Sequence, residues 1–179
     1  AITALINVMQ KMVQTTVELN THMTELQMVT GETGRAAYES FDEYNEIAKE
    51  LGVTTANVID GANEWARQGR TAAETTELIR ASTVQATIAN MDYATSSKLL
   101  TATLNGYQKS ADEAMDVVDA LSAVDMAAAT SVEELAEALQ RTANSARLAG
   151  VDFETLIAYI AAVIDTSQLA PEVVGTAFK

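Results

Sequence analysis

The residues best suited to chemistry in this sequence are carboxylates that recur at helical spacing. Glu18, His22 and Glu25 stand at i, i+4 and i+7, so one helix face could offer two carboxylates and an imidazole to a metal ion. Metal sites held by helices need matching ligands on a facing helix, and His22 is the only histidine of the chain. An exposed polar helix face is the better interpretation, and we predict no metal-binding residues.

Two other acidic groups raise the same question. Asp112, Asp116 and Asp119 share a helix face without a glycine-centred calcium loop, so we expect a solvated stripe or a docking face for a basic partner. Glu133 and Glu137 lie one turn apart and are the pair that a carboxylate-based enzyme would use. The chain has no cysteine and a single histidine, which excludes a thiol nucleophile or a triad built on its own histidines. We predict no catalytic residues and no enzyme.

Motif and charge both disfavour binding to phosphates and nucleic acids. Gly69-Arg70-Thr71 precedes a predicted helix, where an anion could bind, but the Gly-Lys-Ser/Thr of a phosphate loop is absent. We therefore predict a turn there, and no cofactor. The net charge of −14 opposes contact with phosphates or anionic lipids, and the nine aromatic residues do not interleave with basic ones. No specific nucleic-acid partner is predicted.

The apolar runs of the chain are short. The longest, Leu156 to Ile164, is interrupted by Tyr159 and falls well below the length of a membrane-spanning helix. We predict no membrane contact from this segment. The sequence begins at Ala1 without Met and stops at Lys179 without a closing signal, so we expect it to be a portion of a longer protein.

Helices must position all of these residues, because the chain has one proline and eight glycines and is rich in good helix formers. Glycines recur where helical patterns stop, and capping boxes at Thr71–Glu74, Ser110–Glu113 and Ser131–Glu134 mark helix starts. We predict an all-α fold, in which an N-terminal coiled-coil helix precedes a compact domain of short helices joined by glycine turns. The predicted helices span about 2–30, 35–51, 55–68, 72–90, 93–105, 111–128, 132–149 and 153–166, and a last one starts near Pro171.

The first thirty residues carry a heptad pattern of apolar residues. Its steps alternate between three and four residues, as in the seam of a left-handed coiled coil. The predicted oligomerisation seam consists of Ile2, Leu5, Met9, Met12, Thr16, Leu19, Met23 and Leu26. Apolar residues at flanking positions, such as Ile6 and Val13, widen this face, which favours three or more helices around an axis or a seam covered by the rest of the domain. An ordinary amphipathic helix packed within the monomer is the other interpretation.

Several ordered segments of the sequence are similar to those of a known family. They are Ile47 to Val53, a helix ending at Gln68-Gly69 before Thr71, Ser131 to Leu139, Ala146 to Val151, and the block Pro171-Glu172-Val173-Val174-Gly175-Thr176-Ala177-Phe178-Lys179. In order and spacing they resemble the core domain of phage tail tape-measure proteins. The resemblance implies a coiled-coil arm at residues 1–33 and a helical core domain at residues 34–179.

The resemblance also implies a function. Such a protein is a structural component of the virion that lies inside the tail tube or at the tail tip, sets tail length, nucleates tail assembly and leaves during DNA ejection. Its implied partners are further copies of itself, in a trimer, together with tail tube proteins, tail-tip or baseplate proteins and tail assembly chaperones. Assembly would place it in the host cytoplasm. The family has no catalytic residues in this region, so the resemblance implies none.

A second class of function stays open. A non-catalytic helical interaction module, such as a secreted protein bound by a chaperone or a signalling bundle, would have the same composition. It predicts a monomer or dimer in which the seam of the first helix is covered internally.

Overall fold

A computed structural model gives the backbone of residues 2–31 and 33–179 and the side chains of residues 6–7, 10–31, 33–71 and 74–179. Throughout these residues the chain forms helices and no strands, so the predicted all-α fold class is confirmed. None of the helices in the described residues is long and apolar enough to cross a membrane.

The helices follow the predicted order. They are α1 (Ile2–Thr30), α2 (Arg35–Leu51), α3 (Thr55–Arg67), α4 (Ala72–Ala89), α5 (Tyr93–Tyr107), α6 (Ala114–Ala127), α7 (Val132–Leu148), α8 (Phe153–Ser167) and α9 (Pro171–Ala177). One difference lies before α6, where residues 111–113 form a turn of 3-10 helix that we had included in the α-helix. Short 3-10 turns are common at helix ends.

Side-chain caps fix several of these helix starts, as the sequence predicted. At α7, the Glu134 N–H donates to Ser131 Oγ at 3.2 Å and the Ser131 N–H donates to Glu134 Oε2 at 2.8 Å. Thr71 and Glu74 form the same reciprocal pair at α4. Such caps satisfy N–H groups that have no partner within the helix.

Contacts between helices divide the chain into two compact units, residues 1–70 and residues 71–179, and each is described by itself. In the first unit, α1 and α2 each pack against α3. Val58, Ala62 and Trp65 of α3 are fully buried, which confirms the predicted inward face of that helix. The predicted division into an arm at 1–33 and a core at 34–179 stays a prediction.

The second unit is organised around α7. Helices α4, α5, α6, α8 and α9 all contact it, and its own Leu135 and Leu139 are fully buried. Two glycines permit the closest approaches. A Cβ at Gly106 of α5 would lie 2.5 Å from Ala143 Cβ, and one at Gly175 of α9 would overlap the backbone of Ala138.

Candidate functional site

The predicted seam of α1 divides into an exposed and a covered part. Met12 is 64% exposed and Thr16 is exposed, Leu19 and Met23 are half-buried, and Leu26 is only 1% exposed. The side chains of Ile2, Leu5 and Met9 lie outside the described residues. The seam as an interface between copies stays a prediction, because these exposures belong to one chain alone.

The C-terminal half of α1 is attached to α3 by a polar contact as well as by Leu26. His22 Nδ1 lies 2.6 Å from Asp60 Oδ1, and both side chains are partly exposed. Glu18, which we had weighed with His22 as a metal ligand, accepts instead from Gln14 Nε2 at 3.0 Å. Within the described residues no three potential ligands come together around a metal position. No pattern in the sequence indicates Asp60 as the partner of His22, because that pairing depends on how α1 packs on α3.

An open groove lies between α1 and α2 in the first unit. Its volume is about 400 Å³, and its lining residues are Thr16, Leu19, Asn20, Met23 and Gln27 of α1 and Gly34, Ala37, Tyr38 and Phe41 at the start of α2. On each helix these residues recur at intervals of three and four, so each wall is a single helix face. The groove walls carry apolar side chains and uncharged polar ones, which suits a hydrophobic partner with some hydrogen-bonding capacity.

Helix α2 is rich in acidic residues. The helix has five acidic and two basic side chains. Glu39, Asp42 and Glu46 lie on its exposed side. Arg35 Nε donates to Glu39 Oε1 at 2.7 Å and Lys49 Nζ to Glu46 Oε1 at 2.6 Å. Exposed pairs of this kind contribute little to stability, so their carboxylates can exchange partners.

The predicted acidic stripe of the second unit is exposed along its length. Asp112, Asp116 and Asp119 are all exposed, as either interpretation of the stripe requires. Glu113 beside them forms hydrogen bonds that stabilise the local backbone. Its carboxylate accepts from the Ser110 N–H at 2.9 Å and from Lys109 Nζ at 3.0 Å. These hydrogen bonds, the backbone one above all, lower the pKa of Glu113 to about 2.

The carboxylate pair considered for catalysis lies near the N-terminus of α7. Glu137 is half-buried, and desolvation raises its pKa, with further contributions from the negative charges of Glu172, Glu133 and Glu134. Glu134 is occupied by the cap at Ser131. These carboxylates lie near the N-terminus of one helix. Negative charges in that position stabilise the start of the helix.

A cluster of contacts holds the end of α5 against the start of α8. The Tyr107 hydroxyl donates to the Val151 carbonyl at 3.2 Å, and its ring meets Phe153 edge-on at 5.4 Å between centroids. Burial, followed by the charges of Asp152 and Glu154, raises the pKa of Tyr107 to about 12.

The closing block of the sequence is fixed in place by α7. Thr142 Oγ1 donates to the Phe178 carbonyl at 3.1 Å, and Gly175 lies directly against Ala138. The sequence had marked this block by its resemblance only, and the contacts explain why glycine stands at position 175.

The turn predicted at Gly69-Arg70-Thr71 is confirmed. Gly69 has a φ of 73°, which glycine adopts readily, and Thr71 is the N-cap of α4. Because Glu74 accepts from both the N–H and the hydroxyl of Thr71, the polar groups at this helix start are already used internally.

Comparison with known proteins adds one match. Residues 41–179 match the model of a family described as phage-related minor tail protein. The match begins within α2 and runs to the last residue, so it includes α3 to α9, whereas α1 lies before it. No solved structure matches the chain.

Proposed function

The chain belongs to the family of phage-related minor tail proteins, and on that premise we propose that it is part of the tape-measure protein of a phage tail. Family membership supports a structural role in the tail and association with other tail components. The finer proposal is that the protein sets the length of the tail, nucleates its assembly and leaves it ahead of the DNA.

One observation carries this finer proposal. The 29-residue helix α1 presents a heptad seam whose described members Met12 and Thr16 stay exposed within a single chain. A helix that spans about 43 Å and leaves part of its described seam exposed is suited to pack lengthwise against copies of itself. Packing of that kind is what a small bundle along a tail axis needs.

The proposed surroundings follow from this arrangement. Copies of the chain, three in number, would lie inside the tail tube or at the tail tip and contact tube subunits, tip or baseplate proteins and assembly chaperones. The net charge of −14 would limit adhesion to DNA that passes the same lumen. Tight, salt-sensitive binding of DNA to the purified chain would count against this proposed location.

Tail length tests the tape-measure proposal directly. In the phage that encodes the chain, four additional heptads inserted in register into α1 should lengthen the tail by about 42 Å, because helix adds about 1.5 Å per residue. Electron microscopy of the virions measures this length. Substitutions in the same heptads that keep the residue number serve as the control. Infectious virions with the insertion and tails of unchanged length would overturn the proposal.

Solution mass tests the proposed trimer. Light scattering of the intact chain should give three times the 19.1 kDa of one copy, and Met12→Glu should reduce the mass to that of one copy. Met126→Glu is the matched control, since Met126 is also an exposed methionine but lies in the second unit. A monomer at all concentrations, or an equal effect of both substitutions, would refute association through the seam. Deleting residues 1–33 is a poorer test, because it removes Leu26 from its buried place in the first unit.

We also propose that this segment is not an enzyme. Of the pair considered for catalysis, Glu137 has a pKa raised by burial and then by neighbouring carboxylates, and the adjacent Glu134 is engaged in the cap of α7. Glu133→Ala and Glu137→Ala should leave a cell-wall lysis assay of the chain at background. Lysis by the intact chain that either substitution abolishes would reverse this assignment.

A further inference from the structure

The face of α1 that carries the heptad seam is covered along only part of its length. The described side chains from Ile6 to Glu18 are all exposed. From Leu19 onward, buried and half-buried side chains recur at the spacing of a single helix face. They are Leu19, His22, Met23, Leu26 and Gln27. The first unit therefore begins to cover this face at Leu19.

Helices of the same chain occupy the C-terminal half of the seam. Leu26 is 1% exposed where α1 packs against α3, and His22 Nδ1 lies 2.6 Å from Asp60 Oδ1 of α3. Leu19 and Met23 line the groove opposite the start of α2. Packed helices lie about 8–10 Å apart between their axes, so the face that α3 covers has no room for a helix of a second copy. This half of the seam is used within the chain.

The N-terminal half of α1 has no such cover in its described residues. Met12 and Val13 are both 64% exposed, and Val17 is 60% exposed. A single helix of this length is only marginally stable in water unless it packs against another surface. A partner that covers these apolar side chains would stabilise the helix by removing their surface from water. This half of α1 therefore has the properties of an interface.

Charge and pattern favour a second copy as the partner of this half. Lys11 is the only charged side chain among residues 1–17, whereas the whole chain has a net charge of −14. Copies of an acidic chain repel one another, and in this stretch no carboxylate opposes their approach. A heptad seam also matches itself, because copies in register place each apolar position against its equivalent. Lys11 is exposed beside the seam and can stay in water.

We infer that copies of the chain associate only through the N-terminal half of α1, which ends near Val17, and that their α1 helices diverge from Leu19 onward. The inference rests on the proposed function, because it specifies where the proposed association takes place. Beyond Val17 each copy directs the same helix face to its own α3. The associated copies would share a short bundle, and the rest of each first unit would keep its own core.

Cross-linking through single cysteines locates the interface, because the chain has no cysteine of its own. Thr15 and Val29 are both exposed and lie two heptads apart, so they have the same heptad position about 21 Å apart along α1. A short bismaleimide should join copies of the Thr15→Cys variant with a yield about fivefold or more above that of the Val29→Cys variant, because associated copies hold their thiols at a high effective concentration. Met126→Cys, at an exposed methionine of the second unit, measures cross-linking by random collision.

Two controls make these yields comparable. A maleimide with one reactive group shows whether the thiols are equally accessible, and circular dichroism shows that each variant keeps its helix content. Light scattering at the same concentration gives the mass of each variant. The Val29→Cys variant should associate as the intact chain does, because Val29 lies outside the proposed interface.

The outcomes separate this inference from the proposed function. Equal yields for Thr15→Cys and Val29→Cys, or a higher yield for Val29→Cys, would overturn the inference and leave the association of copies intact. Yields at the level of random collision for both variants would also overturn the inference. The proposed association is overturned with it if light scattering gives a monomer at all concentrations.

Discussion

The two compact units provide examples of apolar side chains that differ in their exposure to solvent. In residues 71–179, leucines such as Leu121, Leu135 and Leu139 are fully buried among helices of the same unit. In residues 1–70, α1 leaves Met12, Val13 and Val17 at least 60% exposed. Burial of such side chains drives folding, so these leucines stabilise the second unit, whereas the exposed side chains of α1 add little to the stability of the first.

The largest expected difference between the units is in the cost of removing an apolar side chain. Leu139→Ala should lower the free energy of unfolding by about 2 to 5 kcal/mol, because it leaves a cavity in a packed core. Met12→Ala should change it by no more than about 0.5 kcal/mol in the monomer, because Met12 is exposed. Urea denaturation followed by circular dichroism measures both values. Similar losses for the two variants would contradict the contrast between the units.

Glycines serve two different purposes in this chain, close helix packing and a left-handed turn, which double variants can resolve. Gly175→Ala should cost about 1 to 3 kcal/mol, because the new methyl group meets backbone atoms of α7, and Ala138→Gly should not restore stability. Gly106→Ala should be partly restored by Ala143→Gly, because there the methyl group meets mainly a side-chain atom.

Gly52 of the first unit is the comparison for these variants. Its Cβ position is open, and its φ is +69°. Gly52→Ala should therefore cost about 1 kcal/mol through backbone strain alone, and no partner substitution should relieve it. Thermal or urea unfolding of the double variants measures the restoration. Full restoration at Gly175 by Ala138→Gly would contradict the assigned contact.

Helix caps give a smaller effect that distinguishes α7 of the second unit from α2 of the first. Ser131→Ala should destabilise the second unit by about 1 kcal/mol, because it leaves the Glu134 N–H at the start of α7 without its acceptor. Helix α2 of the first unit begins at Gly34 without a side-chain cap, so it has no corresponding residue to lose. Gln140→Ala, at an exposed position of α7, is the control and should have little effect. Urea titrations of both variants check this order.

A last prediction is a dependence on alkaline pH that belongs to the second unit. The pKa of Tyr107 is raised from 10.0 to about 12, so its neutral hydroxyl is favoured in the folded state. This contribution is complete below pH 10 and is lost as the pH rises to about 12. Tyr107→Phe should abolish that loss and itself cost less than about 1.5 kcal/mol at neutral pH. The difference in stability between the two proteins, measured over that pH range, should therefore shrink as the pH rises.

The helices could be predicted from the sequence because residues close to each helix end determine where the helix starts or stops. Ser131 with Glu134, and Thr71 with Glu74, specify helix starts through hydrogen bonds that span three residues. The inward face of α3 could be predicted for a similar reason, since Val58, Ala62 and Trp65 recur at helical spacing.

What the sequence could not specify depends on contacts between distant residues. Periodicity places Leu19, Met23 and Leu26 on one face of α1. It does not indicate that Leu26 is buried within its own unit while Leu19 and Met23 line a groove. The pairing of His22 with Asp60 likewise required the packing of α1 on α3. Gly175 differs from the turn glycines, because its reason is the proximity of another helix.

The burial of Trp65 has a practical consequence for studying this molecule. It is the only tryptophan of the chain, and it lies in the core of the first unit. The tryptophan fluorescence of the whole protein therefore originates from that unit, whereas the second unit contributes none. An emission spectrum thus provides a natural optical label, already encoded in the chain, for events in the unit that carries the groove.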